Sequence, residues 1–302
     1  MIRAPIVLFT YARPYHVRLT VESLLGNPEV SEHELIVFSD AARTLDKQPA
    51  VEVVRAYLKS ITGFRLVTIY YREKNFGLAK SIISGLSQVL TAHERVIVLE
   101  DDLVTSPYFL AYMNESLDRY ATDERIISIH GYVYPIEDQL PDAFFLPGAD
   151  CWGWGTWRRG WNLFNENGEQ LLQELKRLDQ IDEFDFHGAY DFSGMLKSQI
   201  KGENDSWAIR WHASAYINGK LTLHPGKSFV QNIGHDDSGE HSALTKQYDV
   251  QLSEVIPDLS AVEIEPSEQA YGAFKEFYLR NRPGFAHRLL GTVKRYVRKY
   301  SK

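Results

Sequence analysis

The chain has 302 residues, 44% of them hydrophobic and 24% charged. These are the proportions of an ordinary globular protein with one large domain or two small ones, long enough to bury a substantial core. They exclude a disordered, collagen-like or coiled-coil chain, and a net charge of −7 argues against a protein that coats nucleic acid. The single cysteine, Cys151, excludes an intrachain disulfide framework and a cysteine-rich zinc site, and suits a reducing compartment. No apolar run approaches the roughly 18 residues of a membrane span. The short apolar stretch after Met1-Ile2-Arg3-Ala4-Pro5 is too brief for a secretory leader, so a cytoplasmic location is expected.

Strand and helix patterns alternate through the first hundred residues. Pro5 to Phe9 is a short apolar run read as a buried strand, followed by a turn at Thr10 to Pro14. Val17, Val21, Leu24 and Leu25 are spaced as one face of a helix over His16 to Leu25. Glu34 to Phe38 predicts a second strand, Val51 to Ile61 a second helix and Phe64 to Tyr71 a third strand. Gly77 to Leu90 predicts a third helix, and Arg95 to Leu99 a fourth strand. This alternation implies an α/β fold, a mostly parallel sheet with helices on both faces. Ligands of such sheets bind at the carboxyl ends of the strands. The polar residues just past those ends are Thr10, Tyr11 and Arg13, then Ser39 and Asp40, then Asn75, then Glu100, Asp101 and Asp102.

The pattern changes after Asp102. Pro107 to Tyr120 reads as a helix and Ile126 to Ile129 as a short strand. An aromatic, glycine-rich passage follows at 151–161, CWGWGTWRRGW. Residues 169–201 look helical, Asn204 to Ile217 reads as a capped helix, and Leu221 to His224 as a strand before a Gly/Asp/His loop at 232–242. The expected organisation is one domain over 1–245, with a change of pattern at 104/105, then an extension over 246–302. Within 282–302, Leu289, Val293, Tyr296, Val297 and Tyr300 share a helical face among basic residues without an acid. Such a helix could lie on an anionic membrane surface, or it could pack on the domain.

The strongest chemical signal is a strand ending in three consecutive carboxylates, Glu100, Asp101 and Asp102. Adjacent like charges repel unless a cation is present, and carboxylate oxygens together with substrate phosphates suit Mn²⁺ or Mg²⁺. The plain alternative is a solvated acidic turn. Arg13 could pair with a phosphate or could be a surface arginine. Asn75 precedes a helix and could merely cap it, while Lys80 lies one turn in.

The order PIVLFTYARP, VFSDAAR, NFGLAKSIISGL and VIVLEDD resembles the GT-A fold of nucleotide-sugar glycosyltransferases over residues 4–240. It is most similar to the branch with a Glu-Asp-Asp metal motif. That branch includes the N-acetylglucosaminyltransferase that starts complex N-glycan branching, its bacterial relatives and bacterial polysaccharide glycosyltransferases. The resemblance implies a GT-A catalytic domain over 1–245, with a nucleotide-sugar-binding half to 104, Lys80 near the donor in it, and an acceptor half from 105, then a helical C-terminal extension. It implies a metal-dependent, inverting hexosyl- or N-acetylhexosaminyl transfer. A UDP-sugar would be the donor, and a hydroxyl of a glycan or lipid-linked saccharide the acceptor. It implies Asp102 as the direct metal ligand, with Glu100 and Asp101 at the ribose or at the metal's waters. It places Asp40 at the nucleobase edge and Asp205, in Glu203-Asn204-Asp205-Ser206-Trp207, as the general base that takes the acceptor's proton.

An acidic helix terminus is the ordinary alternative for Asp205, and Glu203 is the reserve base. His235 is a candidate metal or diphosphate ligand, and His241 extends the idea of a mobile lid. In the tryptophan passage, Trp152 or Trp154 could stack on a sugar, while Gly153 and Gly155 would admit it close to the backbone; at least two of the four tryptophans are expected in the core. Two other readings compete. A non-catalytic glycan-binding relative should have lost Asp102 or Asp205, and both are present. A sugar-1-phosphate nucleotidyltransferase should carry a glycine-rich first loop, and here that loop is TYARP.

Overall fold

The computed structural model describes residues 3–237 and 244–282. The basic segment 283–302, and His241 with it, lies outside the described residues. The chain runs β1 (Ile6–Thr10), α1 (Pro14–Leu25), β2 (Glu34–Ser39), α2 (Gln48–Leu58), β3 (Leu66–Tyr71), α3 (Leu78–Ala92) and β4 (Arg95–Glu100). It continues with β5 (Leu103–Thr105), α4 (Phe109–Arg119), β6 (Ile126–His130), β7 (Ala143–Pro147), β8 (Trp154–Trp157) and α5 (Arg158–Trp161). Then come α6 (Gly168–Arg177), α7 (Ile181–Phe184), α8 (Phe192–Ile200), α9 (Trp207–Ile217), β9 (Leu221–Pro225), β10 (Val230–Asn232) and α10 (Glu268–Arg280).

The strand order is β3-β2-β1-β4-β8-β6-β9-β7, with a separate β10-β5 ribbon. The first four strands are parallel. Strand β8 runs antiparallel to both β4 and β6, and β7 runs antiparallel to β9. The mostly parallel α/β expectation therefore holds, with β7 and β8 as reversed strands that period-two reasoning did not find. The β1 run is apolar at every position because both faces of the sheet are covered. Ile6 and Leu8 join a layer with Val17 and Val21 of α1, Val54 of α2 and Leu117 of α4. Val7 and Phe9 face the other way, into a layer with Ile82 and Leu86 of α3 and Trp211 of α9.

Several boundaries differ from the sequence reading for local reasons. Residues 169–201 divide into three helices, with positive φ at Asp179, Phe186 and His187 where the chain turns. Helix α9 begins at Trp207, because Ser206 is its cap: its Oγ accepts from the Ile209 N–H at 3.2 Å. The segment from 244 is tied to the sheet domain. Tyr132 donates its hydroxyl to the Tyr248 carbonyl at 2.9 Å, and Ser106 donates to the Ser253 carbonyl at 2.6 Å. Helix α10 buries Phe274 and Tyr278 against Phe144 and Tyr134.

The tryptophan passage is mostly core. Trp154 is 1% exposed. Its ring lies 5.6 Å from that of Trp207, 5.5 Å from Trp211 and 6.2 Å from Trp161. Trp154 as a sugar-stacking residue is thereby corrected, because both faces of its ring are occupied by protein. Gly153 and Gly155 are also explained by internal packing: a Cβ would strike Val230 at Gly153, and would crowd Leu117 and the Val96 carbonyl at Gly155. Truncating a buried aromatic of this size typically costs about 3–5 kcal/mol. Trp154→Ala is expected to lower unfolding stability by that amount in urea titration, and a loss under about 1 kcal/mol would contradict the core assignment.

Candidate active site

The site forms where β1 and β4 end side by side. Their register sets Phe9 opposite Glu100, which brings the turn after β1 against the three carboxylates. The Arg13 Nη2 group donates to Asp101 Oδ1 and, at 2.8 Å, to Asp102 Oδ2. The Tyr11 backbone N–H donates to Asp101 Oδ2 at 3.0 Å. Thr20 of α1 donates its hydroxyl to the Asp101 carbonyl at 3.0 Å. Asp101 is 4% exposed and uses both carboxylate oxygens on these partners, so it is an anchor of the site and not an open ligand. Arg13 likewise meets carboxylates in this structure, where the sequence offered a phosphate or solvent.

The charges are unbalanced. One guanidinium faces Glu100, Asp101 and Asp102. Burial first, then the charges of Asp102 and Asp101, raise the Glu100 carboxyl above its usual range. Burial also raises Asp101, against the opposing pull of Arg13. Burial disfavours the Arg13 cation, but Asp101 and Asp102 outweigh it and raise the group further.

The late loop after β10 reaches the same place. The Ile233 N–H donates to the Asp102 carbonyl at 2.9 Å, and a side chain at Gly234 would collide with the Asp102 carboxylate. His235 follows, packed against Tyr248 at 4.9 Å and Trp152 at 5.5 Å between ring centres. Burial lowers its pKa while the Asp102 charge opposes that shift, and its buried Nε2 has no hydrogen-bond partner among the described residues. His16 Nε2 lies 3.1 Å from Asp236, tying this loop to α1. Sequence reasoning missed that tie, since no local pattern joins residues 220 positions apart.

The second group of predicted residues surrounds the end of β2. Asp40 is 5% exposed. Its Oδ1 accepts from Ala41 N and Phe76 N, both at 2.9 Å, and its Oδ2 from Gly77 N at 2.9 Å and Asn75 Nδ2 at 3.1 Å. An anion at the start of α3 is favoured by the helix dipole. Asp40 as a reader of the nucleobase edge is therefore corrected: its oxygens hold the 75–77 loop. Asn75 is not a helix cap either. Its amide donates to Asp40 and, at 2.7 Å, to the Ala41 carbonyl, while Gly77, at φ 72°, is the cap residue. Lys80 is exposed, with its Nζ 4.8 Å from the centre of the Phe76 ring. Thr10 is 4% exposed, with an Oγ1 that lacks a partner among the described residues. Arg55, unflagged in the sequence, donates to the Arg72 carbonyl at 2.7 Å and to the Asp40 carbonyl at 3.4 Å, closing the ends of β2 and β3.

Asp205 stands apart from these groups. Its side chain is 73% exposed and lies 3.5 Å from Arg210 Nη2. Ser206, and not Asp205, caps α9, so the carboxylate has no capping role. No hydrogen bond or ion pair joins it to Glu100, Asp101 or Asp102 among the described residues. Its place is set by Trp207, whose ring stacks on Trp154, which in turn pairs with Val98 of β4.

Residues 6–136 match the family described as Glycosyl transferase family 2. That span holds β1 to β6, the carboxylate triad and the Asp40 loop, so the resemblance to GT-A glycosyltransferases seen in the motifs is shown there. No protein of curated function matches the chain. Among solved structures, the mannosyltransferase PcManGT from Pyrobaculum calidifontis, in complex with GDP-Man and Mn²⁺, is similar at 16% identity over 44% of this chain and 35% of its own, with a TM-score of 0.34. S. aureus TarS 1–349 is similar at 13% identity over 76% of this chain and 59% of its own, with a TM-score of 0.42. The longer TarS structure gives 15% identity, 78% and 37% coverage, and a TM-score of 0.42. The chain thus spans between about a third and three fifths of the length of these solved chains.

The Asp40 assignment has a direct test. Leaving a buried N–H without its acceptor costs about 1–3 kcal/mol. Asp40→Ala is expected to speed hydrogen exchange of the Phe76 and Gly77 amides by about tenfold or more, read by native-state exchange. Unchanged protection there would contradict the anchoring role.

Proposed function

We propose that the protein is a metal-dependent, inverting glycosyltransferase that moves a sugar from a nucleotide-sugar to a hydroxyl of a glycan or lipid-linked saccharide. The observation that carries this reading is the carboxylate triad at the end of β4, compensated among the described residues by a single arginine, inside the span that matches Glycosyl transferase family 2. Among the described residues, no group of three His, Cys, Asp or Glu side chains converges as a complete metal site. The residues present still fit a divalent ion shared with a substrate: Mn²⁺ and Mg²⁺ commonly use one or two carboxylates and complete their shell with phosphate and water. Among the described residues Asp102 keeps Oδ1 clear of hydrogen bonds and His235 has an unpartnered buried nitrogen, while burial and the charges of Asp102 and Asp101 raise the Glu100 carboxyl, a strain that a cation would relieve. When bound, the ion would neutralise charge developing on the departing nucleoside diphosphate.

Chain residues do the rest in this reading. Arg13 holds Asp101 and Asp102 in place. Asp40 shapes the loop that faces the nucleotide, with UDP-sugars the first donors to try. Asp205, exposed and free of a capping duty, accepts the acceptor's proton as its oxygen attacks the sugar carbon. No described helix is long and apolar enough to cross a membrane.

Two measurements test this reading. Release of nucleoside diphosphate from a UDP-sugar panel should stop in EDTA and return with Mn²⁺ or Mg²⁺. Asp102→Asn should lose roughly 3 kcal/mol or more of transition-state stabilisation, on the order of 10²-fold in rate. Full turnover in EDTA would contradict the metal role. Asp205→Asn should bind donor nearly as the parent protein does and turn over about 10²–10⁴ times more slowly, the usual worth of a general base. Parent-level turnover by Asp205→Asn together with loss in Glu203→Gln would move the base to Glu203.

A further inference from the structure

A second carboxylate site lies beside the triad, and nothing in the motif pattern pointed to it. Asp150 precedes β8, where the chain runs past the end of β4. Its Oδ1 accepts from the Cys151 N–H at 2.8 Å, and its side chain keeps 31% exposure. No arginine or lysine pairs with it among the described residues. The nearest basic group is His130, whose Nδ1 lies 3.8 Å from Asp150 Oδ2. That imidazole is neutral. Its Nε2 accepts the Trp152 N–H at 3.1 Å, so its proton sits on Nδ1, 3.3 Å from His224 Nδ1. Burial lowers both rings to about 3. Asp150 is thus a partly buried carboxylate without a cationic partner among the described residues, an arrangement that costs stability.

Its surroundings are aromatic. The Tyr132 ring lies 6.2 Å from that of His130 and 5.5 Å from Tyr134, which lies 5.5 Å from Tyr278, itself 4.9 Å from Tyr190. Trp152 is half-buried and stands edge-on to Tyr132 at 4.7 Å and to Tyr248 at 5.7 Å between centres. The site adjoins the triad: β8 runs antiparallel to β4 with Val98 opposite Trp154, so the residues before β8 pass the end of β4, where Glu100 to Asp102 lie.

We propose that Asp150, with Trp152 beside it, binds the hydroxyls of a pyranose ring held next to the β4 carboxylates. The proposal rests on the glycosyltransferase reading and names the residue that selects its sugar. A carboxylate without a counter-ion accepts strong, charge-assisted hydrogen bonds from a pair of ring hydroxyls. Aromatic rings give such a sugar both an apolar face and a polar edge. A partly exposed carboxylate beside a neutral imidazole suits a neutral, hydroxyl-rich ligand better than a phosphate, which it would repel.

The test compares Asp150→Asn with the parent protein. Calorimetry with Mn²⁺ measures affinity for UDP, UDP-glucose, UDP-galactose and UDP-N-acetylglucosamine. Saturation-transfer NMR measures binding of the free monosaccharides, and thermal unfolding measures Tm. Removing an uncompensated charge should leave Tm equal or raise it. The best nucleotide-sugar should weaken tenfold or more while UDP changes less than twofold, and the free-sugar signal should disappear. If nucleotide-sugar affinity holds while the acceptor KM rises tenfold, the bound hydroxyls are the acceptor's, which also supports the site. Equal loss of UDP and nucleotide-sugar, a fall in kcat alone, or parent-like values throughout would overturn it. A parent protein that binds free sugar through Asp150 but no nucleotide-sugar would sink the transferase reading and keep this one. A parent that binds neither would sink both.

Discussion

Arg13 holds together the two strand ends on which the site depends. Its guanidinium bridges Asp101 and Asp102, and so joins the turn after β1 to the end of β4. Three adjacent carboxylates would otherwise repel one another and splay, or take up protons. One arginine stabilises the arrangement without neutralising it, and Glu100 remains raised by burial and by its neighbours. The residual negative charge faces the carboxyl edge of the sheet, where an α/β fold receives its ligands. A divalent ion on a diphosphate, as proposed, would complement that field.

The rest of the fold brings further groups to this edge. Strand β8 enters the sheet backwards between β4 and β6, which carries Cys151 and Asp150 to the triad as the chain approaches the strand. The same reversal puts Trp154 in the core, where it supports Trp207 and hence the Asp205 segment. Residues 233–236 return along Asp102 and are tied to α1 through His16 and Asp236. The edge that carries these groups therefore combines parallel strands β1 to β4 with the mixed strands beyond them.

The first half of the fold was legible because its strands are continuous apolar runs and its helices show clear spacing. Each predicted strand from Ile6 to Glu100 is present, with ends shifted by a residue or two. Glu100, Asp101 and Asp102 were legible for the same reason, since a strand fixes where its end lies. Short strands β5, β7 and β10 were not, because three to five residues carry too little periodicity. Residue roles were harder than positions. Asp40 looked like a ligand-facing carboxylate, but the loop at 75–77 presents backbone N–H groups that claim its oxygens. Trp154 looked like a sugar platform, but its neighbours Trp161, Trp207 and Trp211 converge on it from distant parts of the chain. Asp150 drew no notice, because its meaning depends on His130 and His224 being buried and neutral, which only the assembled sheet shows.

The central claim is that the β4 carboxylates and a nucleoside diphosphate together hold one divalent ion. Calorimetric titration of Mn²⁺ into the protein with and without UDP tests it most directly. The account predicts one Mn²⁺ site that tightens when UDP is present and disappears in Asp102→Asn. UDP binding that is the same in EDTA as in Mn²⁺, or a Mn²⁺ site indifferent to Asp102→Asn, would contradict it.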